Sequence, residues 1–229
     1  MADSSATDRD QLATGYTRLL SDTHRGRWSL DNSGNRESLG ERLRITEGLA
    51  GGRLPRRPLR VLDLGCGSLS MLPQAIELEV VVGVDLLFDR LHSLREGGES
   101  TPTVQADGAV LPFPSEVFDA VVMSTMLSSV LAESARVAVG AEVTRVLAPG
   151  GALLWYDFRL PSPGNSATRP IRKAELLRFF PTLKGPVVSL TVAPPIARRL
   201  GRAHSLYPLL ARLPFLRTHL AACLVKPGR

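Results

Sequence analysis

The chain has 229 residues and a mass of 24.7 kDa, with 44% apolar residues, enough to bury a core and too many for a disordered chain. No apolar run approaches the roughly 20 residues of a membrane-spanning helix, and the opening MADSSATDRD lacks the basic-then-apolar order of a secretory signal, so a cytoplasmic location is expected. The net charge of +6 conceals a split: residues 158–229 carry ten Arg and three Lys against Glu175 alone, a net of +12, whereas residues 1–157 carry fifteen Arg against twenty-one acids.

Helices are expected at residues 10–20 and 37–50, the second stopped by Gly51-Gly52. Between them RGRWSLDNSGN, residues 25–35, reads as a loop of turn formers. After the basic link RLPRRP comes RVLDL (60–64), a short apolar run bounded by glycine and hence a buried parallel strand. A helix at 69–78, a β-branched strand at 79–84, a helix at 87–95 and a short strand at 103–105 follow. Next come DAVVM (119–123), a helix at 133–147 closed by Pro149-Gly150-Gly151, and ALLWY (152–156). This alternation predicts a doubly wound, mostly parallel α/β sheet with right-handed crossovers. The end departs from it. A helix at 171–180 and a sixth strand at 187–192 precede a Pro-punctuated helical insertion at 195–216, and a last strand spans 219–225. The division expected is a helical cap over 1–57 and one domain over 58–229 bearing the insertion as a lid. Cys66 and Cys223 sit in strand-linked segments, which gives no disulfide framework.

The chemistry is concentrated in VLDLGCGSL, residues 61–69. A buried strand delivers its end into Gly65-Cys66-Gly67, where Gly65 allows a tight turn and Gly67 lets a ligand approach the backbone. Twenty residues after Gly65, Asp85 ends the second strand, where a carboxylate can accept both hydroxyls of an adenosine ribose and would repel a 2′-phosphate. Gln105-Ala106-Asp107-Gly108 brings a further acid to the same sheet edge, within reach of an adenine amino group. A nicotinamide dehydrogenase would need glycine at position 70, which is Ser70, and no Tyr-x-x-x-Lys pair occurs.

The succession VLDLGCG, VVGVD, ADGAVLPFPSEVFDAVV and RVLAPGGALLWYD resembles the class I S-adenosylmethionine-dependent methyltransferases, in particular their small-molecule branch with the ubiquinone and menaquinone biosynthesis enzymes. The resemblance covers about residues 58–160 and implies a seven-stranded sheet ending in an antiparallel pair. It also implies S-adenosylmethionine as cofactor, with Asp63, Gly65, Cys66 and Gly67 on its methionine side, Asp85 and Leu86 at the ribose, Asp107 and Gly108 at the adenine, and Ser124 near the methionine or the transferred methyl. Leu69 stands where many relatives carry a third glycine.

The sulfonium is already an activated leaving group, so the protein must align nucleophile, methyl and sulfur and exclude water. A base is needed only for an acceptor that starts protonated. Ser124-Thr125-Met126-Leu127 replaces the Asn/Asp-Pro-Pro-aromatic signature of base-amine methylation, no cysteine is placed for pyrimidine C5 chemistry, and no acid and His cluster suggests a metal. Loops leaving the fifth and sixth strands face the acceptor, offering Tyr156, Arg159, Asn165 and Arg169 for binding and Asp157 or His204 as base. His24 and His219 read as structural, and His92 as a surface helix residue. The expected reaction is O- or N-methylation of a small-molecule, glycan or natural-product acceptor, with the Arg-rich insertion drawing an anionic one or touching an acidic membrane. Nucleic acid is disfavoured because the basic third lacks stacking aromatics. A non-catalytic binding protein of the same fold is the alternative. The acceptor and the oligomeric state stay open.

Overall fold

The computed structural model describes residues 29–67, 77–96, 100–161 and 168–228. The helix expected at 10–20 and most of that at 69–78 lie outside them. Alternating apolar side chains build the centre. Along β1 (Leu59–Leu64), β4 (Phe118–Ser124) and β5 (Leu147–Phe158), successive side chains point to opposite sheet faces. Leu62, Leu64, Val121, Met123, Leu153 and Trp155 enter one core; Val61, Ala120, Val122, Ala152 and Leu154 enter the other. Both faces need cover, as parallel strands require.

With β2 (Leu78–Asp85), β3 (Thr103–Gln105), β6 (Val187–Val192) and β7 (Arg217–Val225), the seven strands lie in the order β3-β2-β1-β4-β5-β7-β6. Strand β7 runs antiparallel to both its neighbours and the remaining pairs are parallel. The sheet is open, and the carboxyl ends of β1 to β6 share one edge. Helix α1 (Ser33–Ala50) covers one face, while α3 (Glu133–Val146) and α4 (Lys173–Phe179) cover the other; α2 (Phe88–Glu96) packs beside β2 and β3. After β6 come α5 (Pro194–Arg199), a 3-10 turn at Gly201–Leu206, α6 (Tyr207–Leu210) and a 3-10 turn at Pro214–Leu216.

Several boundaries differ from the sequence reading, three of them for a visible reason. Helix α1 starts four residues early, because the Asn32 side chain accepts from the N–H groups of Gly34 and Asn35 at 2.9 and 3.2 Å and caps it. Leu78 pairs with Leu59 as strand rather than ending a helix. Pro149-Gly150-Gly151 lies within β5 and does not close the helix, which ends at Val146: Gly150 adopts φ +79° and donates to the Lys226 carbonyl, and the β4–β5 register shifts there.

The inward face of α1 carries Gly34, Ser38, Glu41, Arg42, Ile45 and Leu49, spaced three and four apart. Ile45 and Leu49 pack on Tyr156, Leu190 and Ala221. Nearer the carboxyl edge, Glu41 is buried and accepts from the Thr191 N–H (2.9 Å) and the Tyr207 hydroxyl (2.7 Å). A Cβ on Gly34 would overlap the Ala197 carbonyl, so glycine sets how closely α1 meets α5. The insertion thus docks on α1 and the end of β6.

Candidate active site

Strand β1 runs out into a turn in which Gly65 and Gly67 take φ of +77° and +49°, a region closed to most side chains. The N–H groups of Gly65 and Cys66 both donate to the Val84 carbonyl, at 2.7 and 3.1 Å, which folds the turn onto the end of β2. There the Asp85 carboxylate accepts from the Gly67 N–H and the Leu87 N–H, each at 3.0 Å, with the Arg90 guanidinium 3.9 Å away. A Cβ on Gly67 would overlap that guanidinium. Asp107, just past β3, accepts from the Ala109 N–H at 2.9 Å.

A cavity of about 160 Å³ opens at this edge. Gly65, Asp85, Leu86, Asp107, Gly108 and Ser124 line it, so the structure brings these expected cofactor residues together. Asp63 and Cys66 are buried behind the turn rather than on the cavity wall. Burial, with the charges of Asp63 and Asp85, pushes the Cys66 thiol up to about 12, so it is no nucleophile at neutral pH. Apolar walls from Leu86, Ala106, Leu131 and Val139 beside two carboxylates suit a purine nucleoside: apolar side chains for the base and an acid for the ribose hydroxyls. The residues present therefore fit the adenosine portion of S-adenosylmethionine.

Past β4 the chain forms the remaining wall, with Ser124, Thr125, Met126, Ser129, Val130 and Leu131. Thr125 is held at φ +51° while its N–H donates to the Tyr156 carbonyl at 2.7 Å. Asp157, expected as a base, lies behind this wall. Its oxygens accept from the Ser128 and Phe158 N–H groups at 2.9 and 2.8 Å, and its side chain is fully buried. Burial pushes its carboxyl up to about 6 despite those hydrogen bonds. The buried Arg136 grips the same segment, donating to the carbonyls of Val130 (2.6 Å) and Arg169 (2.8 Å).

The other acceptor-side expectations are placed as follows. His204 is exposed on the insertion, pairs with Glu37 at 3.2 Å, and does not line the cavity. The Arg159 guanidinium donates to the Pro214 carbonyl. Arg169 pairs with Glu175 and Glu133. Asn165 lies outside the described residues. No described residue of 195–216 lines the cavity.

Tyr156 is buried, its hydroxyl 3.0 Å from that of Thr191, which is itself held at φ +66°. The Arg42 guanidinium sits 4.4 Å above the Tyr156 ring centroid, and His219 stacks on that ring at 4.8 Å and 5°. Burial lowers the pKa of Arg42 against the opposing pull of Tyr156 and Asp63. Its Nη2 is buried with no hydrogen-bond partner among the described residues. Burial, and then the Arg42 charge, holds His219 neutral with its pKa down to about 3. Neither Arg42 nor Arg90 was marked by the sequence reading. The only signal for Arg42 is its place in the helix expected at 37–50, three and seven residues before Ile45 and Leu49. Among the described residues no group of three His, Cys, Asp or Glu could hold a metal, and no helix is long and apolar enough to cross a membrane.

Residues 62–155 match the family described as methyltransferase domain. The sequence is 34% identical over 139 residues to demethylmenaquinone methyltransferase of Thermus thermophilus, covering 58% of this chain and 61% of that protein. It is 37% identical over 105 residues to fatty-acid O-methyltransferase of Mycolicibacterium smegmatis, covering 44% and 37%. An S-adenosylmethionine-dependent methyltransferase of Thermotoga maritima superposes with a TM-score of 0.61 at 18% identity, over 93% of this chain and 99% of that one. Residues 62–155 are thus similar to a methyltransferase domain, and the fold is shared with an S-adenosylmethionine-dependent methyltransferase. The chain spans between a third and about three-fifths of the length of the curated relatives named here.

Proposed function

We infer that the protein transfers the methyl group of S-adenosylmethionine to an oxygen or nitrogen of a small, hydrophobic acceptor. The observation that carries this reading is the meeting of Gly65, Asp85, Asp107 and Ser124 at one cavity on the carboxyl edge. Bound there, the cofactor supplies a methyl on a sulfonium, which needs no further activation. Asp85 would take the ribose hydroxyls and Asp107 with Gly108 the adenine. Arg42 and Asp63, whose charges act on each other behind the turn, would supply a cation for the methionine carboxylate and an anion for its ammonium. Asp157 and Arg136 act as positioning residues: they fix the carbonyls and N–H groups of 128–130, and with them the wall that orients the reactants. Helix α1 and the insertion at 195–216 would frame the acceptor side.

Among the described cavity residues the titratable groups are Asp85, Arg90 and Asp107, all on the cofactor side. No described group there is free to serve as a base, which favours an acceptor whose nucleophile is already ionised, above all a carboxylate. An anionic acceptor also suits the +12 of residues 158–229. Methyl transfer from labelled cofactor, assayed over long-chain carboxylic acids, quinols and amines, tests this. Ester formation from the acids is expected, with a rate flat in pH once the acid is ionised. Turnover of quinols alone would move the assignment to a quinol acceptor, as the name of the Thermus relative suggests. Tight binding of S-adenosylhomocysteine with no turnover on any acceptor would support the non-catalytic alternative.

A further inference from the structure

The insertion leaves an apolar surface facing outward. Tyr207 and Ala211 point inward with Ala197, closing a small core with Val192. On the opposite side Leu206, Leu209 and Leu213, at spacings of three and four, are 49%, 60% and 38% exposed, and Phe215 is 71% exposed. This surface is no loosely packed remnant of a core. The Ala193 N–H donates to the Leu216 carbonyl at 2.8 Å, closing the base of the insertion. The Tyr207 hydroxyl is fixed to Glu41, and the Asn32 amide and Ser33 hydroxyl of the α1 start hold the carbonyls of Arg198 and Gly201. Leucines and a phenylalanine are thus presented to solvent on a rigid mount.

Charge indicates what covers them. Arg199, Arg202 and Arg212 are exposed on the same segment, and no Asp or Glu occurs anywhere after Glu175. An apolar ridge flanked by cations of one sign, on helical turns too short to span a bilayer, matches an anionic lipid surface, where phosphates meet the guanidinium groups and the acyl boundary takes the Leu and Phe side chains. Its place in the fold agrees. The Arg159 guanidinium, in the chain leaving β5, donates to the Pro214 carbonyl, and Leu160 beside it is 40% exposed. The ridge therefore borders the carboxyl edge of the sheet.

We propose that the surface formed by Leu206, Leu209, Leu213 and Phe215 with Arg199, Arg202 and Arg212 docks the protein on an anionic lipid bilayer, carboxyl edge toward the membrane. The docking needs no turnover, so its failure is separable from that of the proposed reaction.

Co-sedimentation of the full chain with phosphatidylglycerol–phosphatidylcholine vesicles, against phosphatidylcholine vesicles, is the test. Binding to the first should exceed binding to the second by about tenfold or more and weaken as salt rises. Leu209→Ser with Phe215→Ser should reduce it by about tenfold, and Arg199→Gln with Arg202→Gln and Arg212→Gln should reduce it and flatten its salt dependence. All these side chains are exposed, so thermal unfolding and S-adenosylhomocysteine binding should match the wild type. Equal binding by wild type and both variants overturns the proposal, as does salt-independent binding to both vesicle types. A dimer that the Leu209→Ser, Phe215→Ser chain cannot form, with no vesicle binding by either, also overturns it and makes the ridge an interface between copies.

Discussion

Asp85 uses both carboxylate oxygens to hold the backbone of Gly67 and Leu87, and each oxygen keeps a second lone pair for a ribose hydroxyl. Asp85→Asn removes the charge and one acceptor while leaving the size unchanged. Cofactor affinity should fall by about 1.5–3 kcal/mol, read by calorimetry with S-adenosylhomocysteine; an unchanged dissociation constant in the folded variant would remove Asp85 from the ribose. Arg42 offers a finer division of the same ligand. If its buried Nη2 meets the methionine carboxylate, Arg42→Met should cost S-adenosylhomocysteine about 2 kcal/mol and leave adenosine binding unchanged. Equal losses for both ligands would place the effect in the fold rather than at the carboxylate.

At the scale of elements, β3 and β6 fall where the sequence puts them, residue for residue, and the cofactor residues converge because motif spacing follows strand ends. What the sequence hid are places where a polar or turn-forming residue serves a tertiary contact. Asn32-Ser33-Gly34 has the composition of a loop, yet it caps a helix and seats it on α5. Asp157 has the residue type of a base, and only burial against the Ser128 and Phe158 N–H groups shows it turned to the backbone. The face of α1 that carries Glu41 and Arg42 lacks the apolar stripe by which a packed helix is read, because its partners are the Thr191 N–H, the Tyr207 hydroxyl and the Tyr156 ring. The tightest of these contacts is testable. Gly34→Ala should destabilise by about 1–3 kcal/mol through overlap with the Ala197 carbonyl, against a usual gain for alanine in a helix. A raised melting temperature would show that α1 and α5 separate at no cost.

For the molecule as a whole, two buried groups pull the stability curve in opposite directions over the same pH range. Asp157 has its pKa raised to about 6, so its contribution is present at low pH and is lost as pH rises through 6. His219 has its pKa lowered to about 3, so its contribution is present above the ordinary histidine range and is lost as pH falls. Between about pH 4 and 6 each has a slope of up to about 1.4 kcal/mol per pH unit, of opposite sign. The wild type should therefore be nearly flat there. His219→Gln should become more stable on acidification from pH 6 to 4, and Asp157→Asn less stable, in denaturant titrations at a series of pH values. Parallel curves for wild type and both variants would refute the opposition. Below that range Asp119 takes over. Burial alone would raise its pKa, but hydrogen bonds from Arg60 and Arg57 bring it down to about 2, and that support is lost as pH falls from about 4.

The hydrogen bonds of Glu41 also order events in time. Its partners Thr191 and Tyr207 come 150 and 166 residues later in the chain. At roughly 5–20 residues per second of synthesis, α1 waits on the order of ten seconds or longer before the groups that satisfy its carboxylate exist. During that interval the helix has lipid, chaperone or water for company, and its amino-terminal half has nothing of its own protein to settle on. Closure of the sheet's far edge is thus the step at which the amino-terminal half of α1 is fixed, and a nascent chain arrested before residue 191 should leave that half open to protease while Leu49 and Ala50 stay covered by β1, β4 and β5.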